Sequence, residues 1–383
     1  MKIFDSTLRD GEQAAGIYLT PQQKAQYAVQ LELAGVNTID AGFPFASQVD
    51  WEGVRAVAEA TEKVTVSAVA THLKKDIDNV RLALKGHESR SRLATRIGPE
   101  ELYQKHSANT NVRSKLLSRS KAAVAYASDF FPEVQYYLNY AGMREPEFLE
   151  ALALGVVDSG ATHVVIADSQ SSFLPQGIAD LTRNLVKVLD GRATVGVHCH
   201  NMYGLAVANT AAAVDAGAEQ VEVTVGGIGD AGGNAALEQV AVYGAVFGKD
   251  KPQWGCGFSV DRVYELAQEL SRLTGFQFGS NQPIVGPDTF KIEAGIHQTQ
   301  VEQVRPGLDP AWIGRNSEIV LGRHSGIRGV RYRAIELGFS TENINWNIVY
   351  RMVMEIASES GVISDYDLGE AIERHAAEQV SSS

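Results

Sequence analysis

Disulfide chemistry is all but absent from this sequence. Its 383 residues hold two cysteines, Cys199 and Cys256, too few for a disulfide framework. Long apolar runs are missing as well: none reaches the roughly 18 residues a membrane span needs, so no membrane partner is expected. Positive charge is in deficit, with 34 Lys and Arg against 46 Asp and Glu and a net charge of −12. Phosphate backbones require a cationic footprint, so no nucleic-acid partner is expected, and an anionic ligand must be met by a locally positive site. Met1 to Arg9 reads as a strand and carries no apolar signal core, which makes a cytoplasmic location the default expectation. No repeat of fixed period is visible beyond an alternation of strands and helices.

Apolar residues make up 44% of the chain and charged residues 21%, as in a globular protein. The length fits one large domain and a smaller one. Short apolar runs at Ile3–Leu8, Thr38–Phe43, Val64–Ala70, Arg92–Ile97, Gln135–Tyr140, His163–Ala167, Thr194–His200 and Gln220–Val225 read as strands, with amphipathic stretches between them. The first helix has a clear start: Thr20 as N-cap, Pro21 in the first turn and Gln23 closing a T-x-x-Q capping box. Tyr27, Ala28, Leu31 and Ala34 share one face, and Gly35 ends it. Eight strand–helix units predict an α/β fold, a (β/α)8 TIM barrel over residues 1–248; a doubly wound open sheet is the alternative. A polar, Pro/Gly-marked linker at 249–259 leads to a smaller, mainly helical C-terminal region, 260–383. Gly98–Ser118, with Lys105, His106, Arg113 and Lys115, interrupts the rhythm. It reads as a loop running into a helix, either a solvated face, or a lid or a contact for a phosphate-bearing ligand.

In such a barrel the strand C-terminal ends carry the chemistry. Asp10 follows the first strand. His198 and His200 end the seventh, and their spacing of two puts both imidazoles on one face with Cys199 on the other. Two histidines and a carboxylate form a common divalent-metal set that leaves positions open for substrate; Mg, Mn and Zn all fit. Asn234 follows the eighth strand and is placed to complete the metal site. The glycine-rich turn before it, with Gly227, Gly229 and Gly232, reads as the opening of a helix whose amides hold an anion or a thioester arm, or else as a tight turn alone. Arg9, beside Asp10, is placed to polarise a carbonyl oxygen.

Together these motifs resemble the isopropylmalate synthase and homocitrate synthase group of the DRE-TIM metallolyases. The resemblance runs through FDSTLRDGEQ (4–13), IDAGFP (39–44), HCHN (198–201) with GLAVANT (204–210), GNAALE (233–238), GIH (295–297) and IVLGRHSG (319–326). It implies a barrel, a divalent metal, and the condensation of acetyl-CoA, as cosubstrate, with a 2-oxo acid to a 2-substituted malate. It also implies a homodimer in which the C-terminal region reaches the neighbour's site, and a chain without the regulatory domain by which isopropylmalate synthases usually sense leucine. By the resemblance Asp10, His198 and His200 bind the metal with Asn234 nearby, Arg9 polarises the 2-oxo group, Ser169 stands at a carboxylate-binding position, and His297 is the base or proton relay. Departures are expected to matter. Asp40 replaces the Glu that orients the Arg. Tyr140 stands where a Glu partners the catalytic His. Met202, Asp230–Ala231 and Ile292 also differ from the usual residues.

Alternation on the fifth strand is expected to point Tyr136, Leu138 and Tyr140 into the pocket, and on the sixth Val165, Ala167 and Ser169. That wall favours a bulky or aromatic side chain on the 2-oxo acid, as in a benzylmalate- or isopropylmalate-synthase-like enzyme. Arg96, on the same strand face as Ala94, either compensates for the shorter Asp40 or binds an anionic tail, as in homocitrate or phosphonomethylmalate synthesis; citramalate synthesis is a further possibility. Two other classes stay open at this stage: a metal-dependent acyl-CoA lyase and a catalytically impaired homologue.

Overall fold

A computed structural model describes residues 1–96, 110–293 and 308–382. The chain divides into two compact units, Met1–Phe278 and Gly279–Ser383.

The first unit is a closed barrel of eight strands in chain order, β1 to β8. They span Lys2–Asp5, Thr38–Asp40, Thr65–Thr71, Ser91–Arg96, Glu133–Leu138, His163–Asp168, Thr194–Cys199 and Gln220–Val223. Every neighbouring pair is parallel, and β8 closes onto β1 with Ile3 opposite Val221. Helices cover the outside, so β6 is buried on both faces along its whole length, as parallel strands are. The predicted capping box forms in full: Gln23 N donates to Thr20 Oγ1 (3.2 Å) and Thr20 N donates to Gln23 Oε1 (2.8 Å). The helix it opens, Pro21–Leu33, buries Tyr27, Ala28 and Leu31.

The interior of the barrel is partly polar and ordered. Arg92, 1% exposed, pairs with Glu133 (2.7 Å) and donates to Gln135 Oε1 (3.1 Å) and Gln220 Oε1 (2.6 Å). Gln135 Nε2 in turn donates to Glu222 Oε1 (2.7 Å). Above this layer Val69, Ala94, Tyr137, Val165 and Ala167 form a small apolar cluster with Phe43 against it.

The barrel unit extends past the expected boundary at 248. The N-terminal ammonium of Met1 donates to Gln253 O (2.8 Å) and Gly255 O (2.7 Å), and Trp254, 2% exposed, donates from Nε1 to Asp215 Oδ1 (2.9 Å). These bonds tie the 249–259 segment to the barrel. The helix Val263–Thr274 then packs on Pro21–Leu33, where Tyr27 Oη donates to Leu266 O (3.0 Å). Burial of Leu266, Ala267 and Leu270 makes this helix part of the first unit, although it reads in sequence as the start of the second.

The second unit carries helices Ile327–Glu336, Trp346–Ser360 and Asp365–Ser382. Two short strand pairs accompany them, Lys291–Ile292 with Glu318–Ile319 and Leu321–Gly322 with Val362–Ile363. Its own core joins Val330, Val349, Val353, Ile363 and Leu368. Among the described residues no helix is long and apolar enough to cross a membrane.

Candidate active site

A cavity of about 310 Å³ opens at the C-terminal ends of the strands, lined by Arg9, Asp10, Phe43, Val69, Arg96, Tyr137, Asn139, Tyr140, Ala167, Ser169, His198 and His200, among others. The loop after β1 builds one wall. Asp5 ends the strand and accepts from Thr7 N (2.9 Å) and Thr7 Oγ1 (3.0 Å), while Arg9 N and Gly11 N both donate to Ser6 O. This tight turn presents Arg9 and Asp10 together. Lys24, buried, anchors it from behind by donating to Leu8 O (2.8 Å) and Ala41 O (3.2 Å).

Arg9 is held on two sides. Its Nε donates to Asp40 Oδ2 (2.7 Å) and its Nη1 donates to Asp10 Oδ1. The shorter Asp40 therefore still reaches the guanidinium, with Ser6 Oγ donating to the same carboxylate oxygen (3.0 Å). Burial works against the Arg9 cation, yet Asp40 and Asp10 outweigh it and hold it charged. Burial also raises Asp10, but Arg9, His198 and His200 outweigh that and keep its carboxyl well below the usual carboxylate range.

His198 and His200 turn their Nε2 atoms toward each other at 3.3 Å, and Asp10 Oδ2 lies 3.7 Å from His198 Nε2. Glu222, buried on the neighbouring strand β8, engages His198 Nδ1 at 3.0 Å. Glu222 and Asp10 raise the His198 pKa against burial, whereas burial and His198 lower that of His200. Asn234 joins the cluster through the chain path. Asn201 N donates to Gly233 O (2.9 Å) and Ala235 N donates to Cys199 O (3.2 Å), which folds the turn after β8 back onto the end of β7. Asn234 Nδ2 donates to Asp10 Oδ2 (2.8 Å) and Ile228 O (3.1 Å), and its Oδ1 is buried with no partner among the described residues.

The donor atoms of Asp10, His198 and His200 lie within 4.8 Å of one another. In the tautomer whose Nδ1–H donates to Glu222 Oε2, His198 shows a lone pair at Nε2. Two imidazole nitrogens and a carboxylate turned on one point, beside an orphaned amide oxygen, fit a divalent cation such as Mg, Mn or Zn.

The glycine-rich turn does not open a helix directly. The next helix is Leu237–Phe247, and within the turn Gly227 N donates to Thr224 O and Gly233 N to Asp230 O. The glycines serve close approach: a Cβ on Gly229 would meet Asn234 Nδ2 at 2.3 Å, and one on Gly233 would meet Gly227 O at 2.0 Å. The turn thus shapes the seat of Asn234. Gly232, with φ of +84°, lies against the backbone of Met202.

The pocket wall differs from expectation on β5. Gln135 and Tyr137 face the barrel interior, where Tyr137 Oη donates to Glu222 Oε2 (3.1 Å). Tyr136 and Leu138 face the helices instead: Tyr136 Oη bonds Ser120 Oγ (2.7 Å) and Leu138 lines a small cavity with Leu116, Phe148 and Leu152. A parallel strand exposes alternate residues to opposite sides, so a one-residue shift in the assumed inward set exchanges the whole wall. Leu138 therefore does not line the pocket. Tyr140 does, because it has left the strand in a left-handed turn with φ of 56°. Its N donates to Ser169 Oγ (3.2 Å). On β6 the expectation of inward Val165, Ala167 and Ser169 agrees with the structure; Ala167 and Ser169 line the cavity, while Val165 lies in the apolar cluster beneath.

Of the 98–118 stretch, the described part opens the helix Thr110–Ser128, with Arg113 paired to Glu145 (2.6 Å). His297, Lys105 and His106 lie outside the described residues. Glu222, Tyr137 and Asn139 are not among the site residues expected from sequence. Glu222 had a signal: on β8 the alternation with Val221 and Val223 sets it inward, opposite His198 in register.

The HMGL-like family model matches residues 1–269, and the homocitrate synthase post-HMGL domain-like model matches residues 284–361. The 2-isopropylmalate synthase of Pyrococcus furiosus is 37% identical over 375 residues, covering 96% of this chain and 74% of that protein. That of Solidesulfovibrio magneticus is 37% identical over 372 residues, covering 96% and 72%. Among solved structures, the hydroxymethylglutaryl-CoA lyase of Pseudomonas aeruginosa superposes with a TM-score of 0.59 at 18% identity, over 73% of this chain and 95% of that one, a likeness of fold.

Proposed function

The chain belongs to the HMGL-like family, within the isopropylmalate synthase and homocitrate synthase group of the DRE-TIM metallolyases, and on that premise we propose that it condenses acetyl-CoA with a 2-oxo acid and hydrolyses the thioester to a 2-substituted malate. The observation that supports this most is the convergence of Asp10, His198 and His200 on one point beside a fixed Arg9 at the floor of the cavity. In the reaction a base removes a proton from the acetyl methyl group. That carbon attacks C2 of the 2-oxo acid, the C2 oxygen gains the electron pair, and water then releases the CoA thiol.

Asp10, His198 and His200, with Asn234 at the edge, would hold a divalent cation, which when bound would supply Lewis-acid polarisation of the 2-oxo group. Arg9 contributes a guanidinium that Asp40 and Asp10 hold in place before the reaction starts, so charge developing on the C2 oxygen is met without reorganisation. The Ser169 hydroxyl lines the same cavity and is placed for the carboxylate of the 2-oxo acid. Glu222 fixes the His198 ring with Nε2 turned toward His200 and Asp10, where it would meet a bound cation. His297 as the base, and a homodimer that brings the C-terminal region to a neighbouring barrel, are carried by the family resemblance.

The expectation of a bulky or aromatic side chain on the 2-oxo acid rested on a wall of which Tyr140, Ala167 and Ser169 line the cavity but Tyr136, Leu138 and Val165 do not. Tyr136 and Leu138 face the helices and Val165 lies below the cavity, so we do not carry that preference forward. The test of the reaction class is thiol release by metal-loaded protein with acetyl-CoA and a panel of 2-oxo acids. The reading predicts release that requires acetyl-CoA, a 2-oxo acid and the metal together. Release that ignores the 2-oxo acid, or survives exhaustive chelation, contradicts it.

A further inference from the structure

Inside and around the barrel mouth, the buried cations have partners. Arg9 is paired with Asp40 and Asp10, Arg92 with Glu133, and Lys24 with Glu12. Arg96 breaks this pattern. It ends β4, lines the cavity, and has neither a hydrogen bond nor an ion pair among the described residues. A second donor beside it is also unused: Asn139, just past the end of β5, lines the same cavity with its Nδ2 buried and without a partner. A partly buried guanidinium and a buried amide N–H left unsatisfied are each unfavourable. Two of them on neighbouring strands call for a ligand group that accepts hydrogen bonds and carries negative charge.

Their place in the barrel says which part of the ligand they meet. The cation donors come from the ends of β1 and β7 and from the turn after β8. In a closed barrel of this order, β4 and β5 stand on the opposite side. A 2-oxo acid whose reacting end sits by Asp10, His198 and His200 therefore directs its side chain toward Arg96 and Asn139. The depth is limited. Val69, Ala94, Tyr137, Val165 and Ala167 fill the barrel directly beneath the cavity, so a long side chain has no slot to enter.

Taking the condensation proposed above as its basis, we infer that Arg96 and Asn139 form a subsite for a second anionic group, and that the 2-oxo acid is a short one ending in a carboxylate or a phosphonate. Arg96 is the specificity-determining residue. Its planar fork matches either group bidentately, and Asn139 Nδ2 adds a neutral donor.

The experiment compares kcat/KM for oxaloacetate, phosphonopyruvate, 2-oxoglutarate, 2-oxobutyrate, 2-oxoisovalerate and phenylpyruvate, with acetyl-CoA and the metal saturating. The inference predicts that oxaloacetate or phosphonopyruvate exceeds every uncharged acid by about tenfold or more, and their order separates carboxylate from phosphonate. In Arg96→Leu the ratio of the preferred anionic acid to 2-oxobutyrate falls by about 100-fold, mainly through KM. Arg96→Lys recovers part of that ratio, and Asn139→Leu lowers it by about tenfold. A wild-type preference for 2-oxoisovalerate, phenylpyruvate or the longer 2-oxoglutarate overturns the subsite while leaving the condensation intact. So does an Arg96→Leu effect equal for charged and uncharged acids. Absence of condensation with every acid refutes the reaction class, and the subsite with it.

Discussion

Replacing Glu222 by Gln changes one atom in a buried network whose polarity runs in a single direction. Arg92 donates to the side-chain oxygens of Gln135 and Gln220, which fixes both amides with their NH2 groups away from the guanidinium. Those NH2 groups donate to Glu222 Oε1, at 2.7 Å from Gln135 and 3.4 Å from Gln220. Glu222 Oε2 faces Tyr137 Oη at 3.1 Å and His198 Nδ1 at 3.0 Å. A carboxylate accepts on both sides and a carboxamide on only one. If Gln keeps its oxygen toward His198, its NH2 meets two NH2 groups. If it turns round, its NH2 meets His198 Nδ1 and favours the tautomer protonated at Nε2, which removes a metal ligand. The first arrangement costs about 1–3 kcal/mol of stability for a buried unsatisfied donor. Loss of the carboxylate behind a ligating histidine typically lowers metal affinity 10- to 100-fold, about 1.4–2.7 kcal/mol. Calorimetric titration of metal-free protein with Mn or Zn reads the affinity, and denaturant unfolding of the metal-free form reads the stability. A Glu222→Gln protein with wild-type metal affinity and wild-type stability refutes both the polarity of the network and its role behind His198.

Three further outcomes follow from the described geometry. His200→Ala removes one of three converging donors, so turnover falls by on the order of 1000-fold or more while the circular dichroism spectrum persists; substantial activity in this variant contradicts the metal site. Thr20→Ala deletes the observed capping box and lowers stability by about 1 kcal/mol, read as a lower denaturant midpoint at constant slope; an unchanged midpoint means the cap adds nothing. His163, 4% exposed, has its imidazole pKa pushed down to about 2 by burial and by Arg92 and Lys2. The unfolded chain takes up this proton near pH 6.5 and the folded chain does not, so stability falls as the pH drops below about 6.5, by about 1.4 kcal/mol per unit. His163→Asn therefore loses about 1.6 kcal/mol less than the wild type between pH 6.5 and 5, and parallel pH profiles for the two proteins exclude this origin.

The barrel was legible because each strand is a short apolar run followed by a helix with readable ends, as at Thr20 and Gly35. The metal donors were legible because they sit at strand ends with a spacing of two. What failed was the inward set on β5. Glu-Val-Gln-Tyr-Tyr-Leu is buried along most of its length, so neither face shows a polar alternation that identifies the core side. Only the network binds Gln135 and Tyr137 inward, and it depends on partners from β4 and β8 that lie far away in sequence. Asp40 raised a question of reach that sequence leaves open; the turn around Ser6 brings Arg9 within 2.7 Å of it. The helix Val263–Thr274 reads as part of a helical second unit because its amphipathic pattern does not name the surface it covers, which here is the barrel.

The proposed reaction forms a carbon–carbon bond at a 2-oxo carbon. Incubation of the metal-loaded protein with methyl-labelled [13C]acetyl-CoA and the preferred 2-oxo acid, followed by carbon NMR, tests it directly. The condensation places the label in a CH2 group bonded to a tertiary carbinol carbon, with one free CoA thiol per labelled product. Label recovered as acetate, or left in acetyl-CoA with the 2-oxo acid unconsumed, contradicts it.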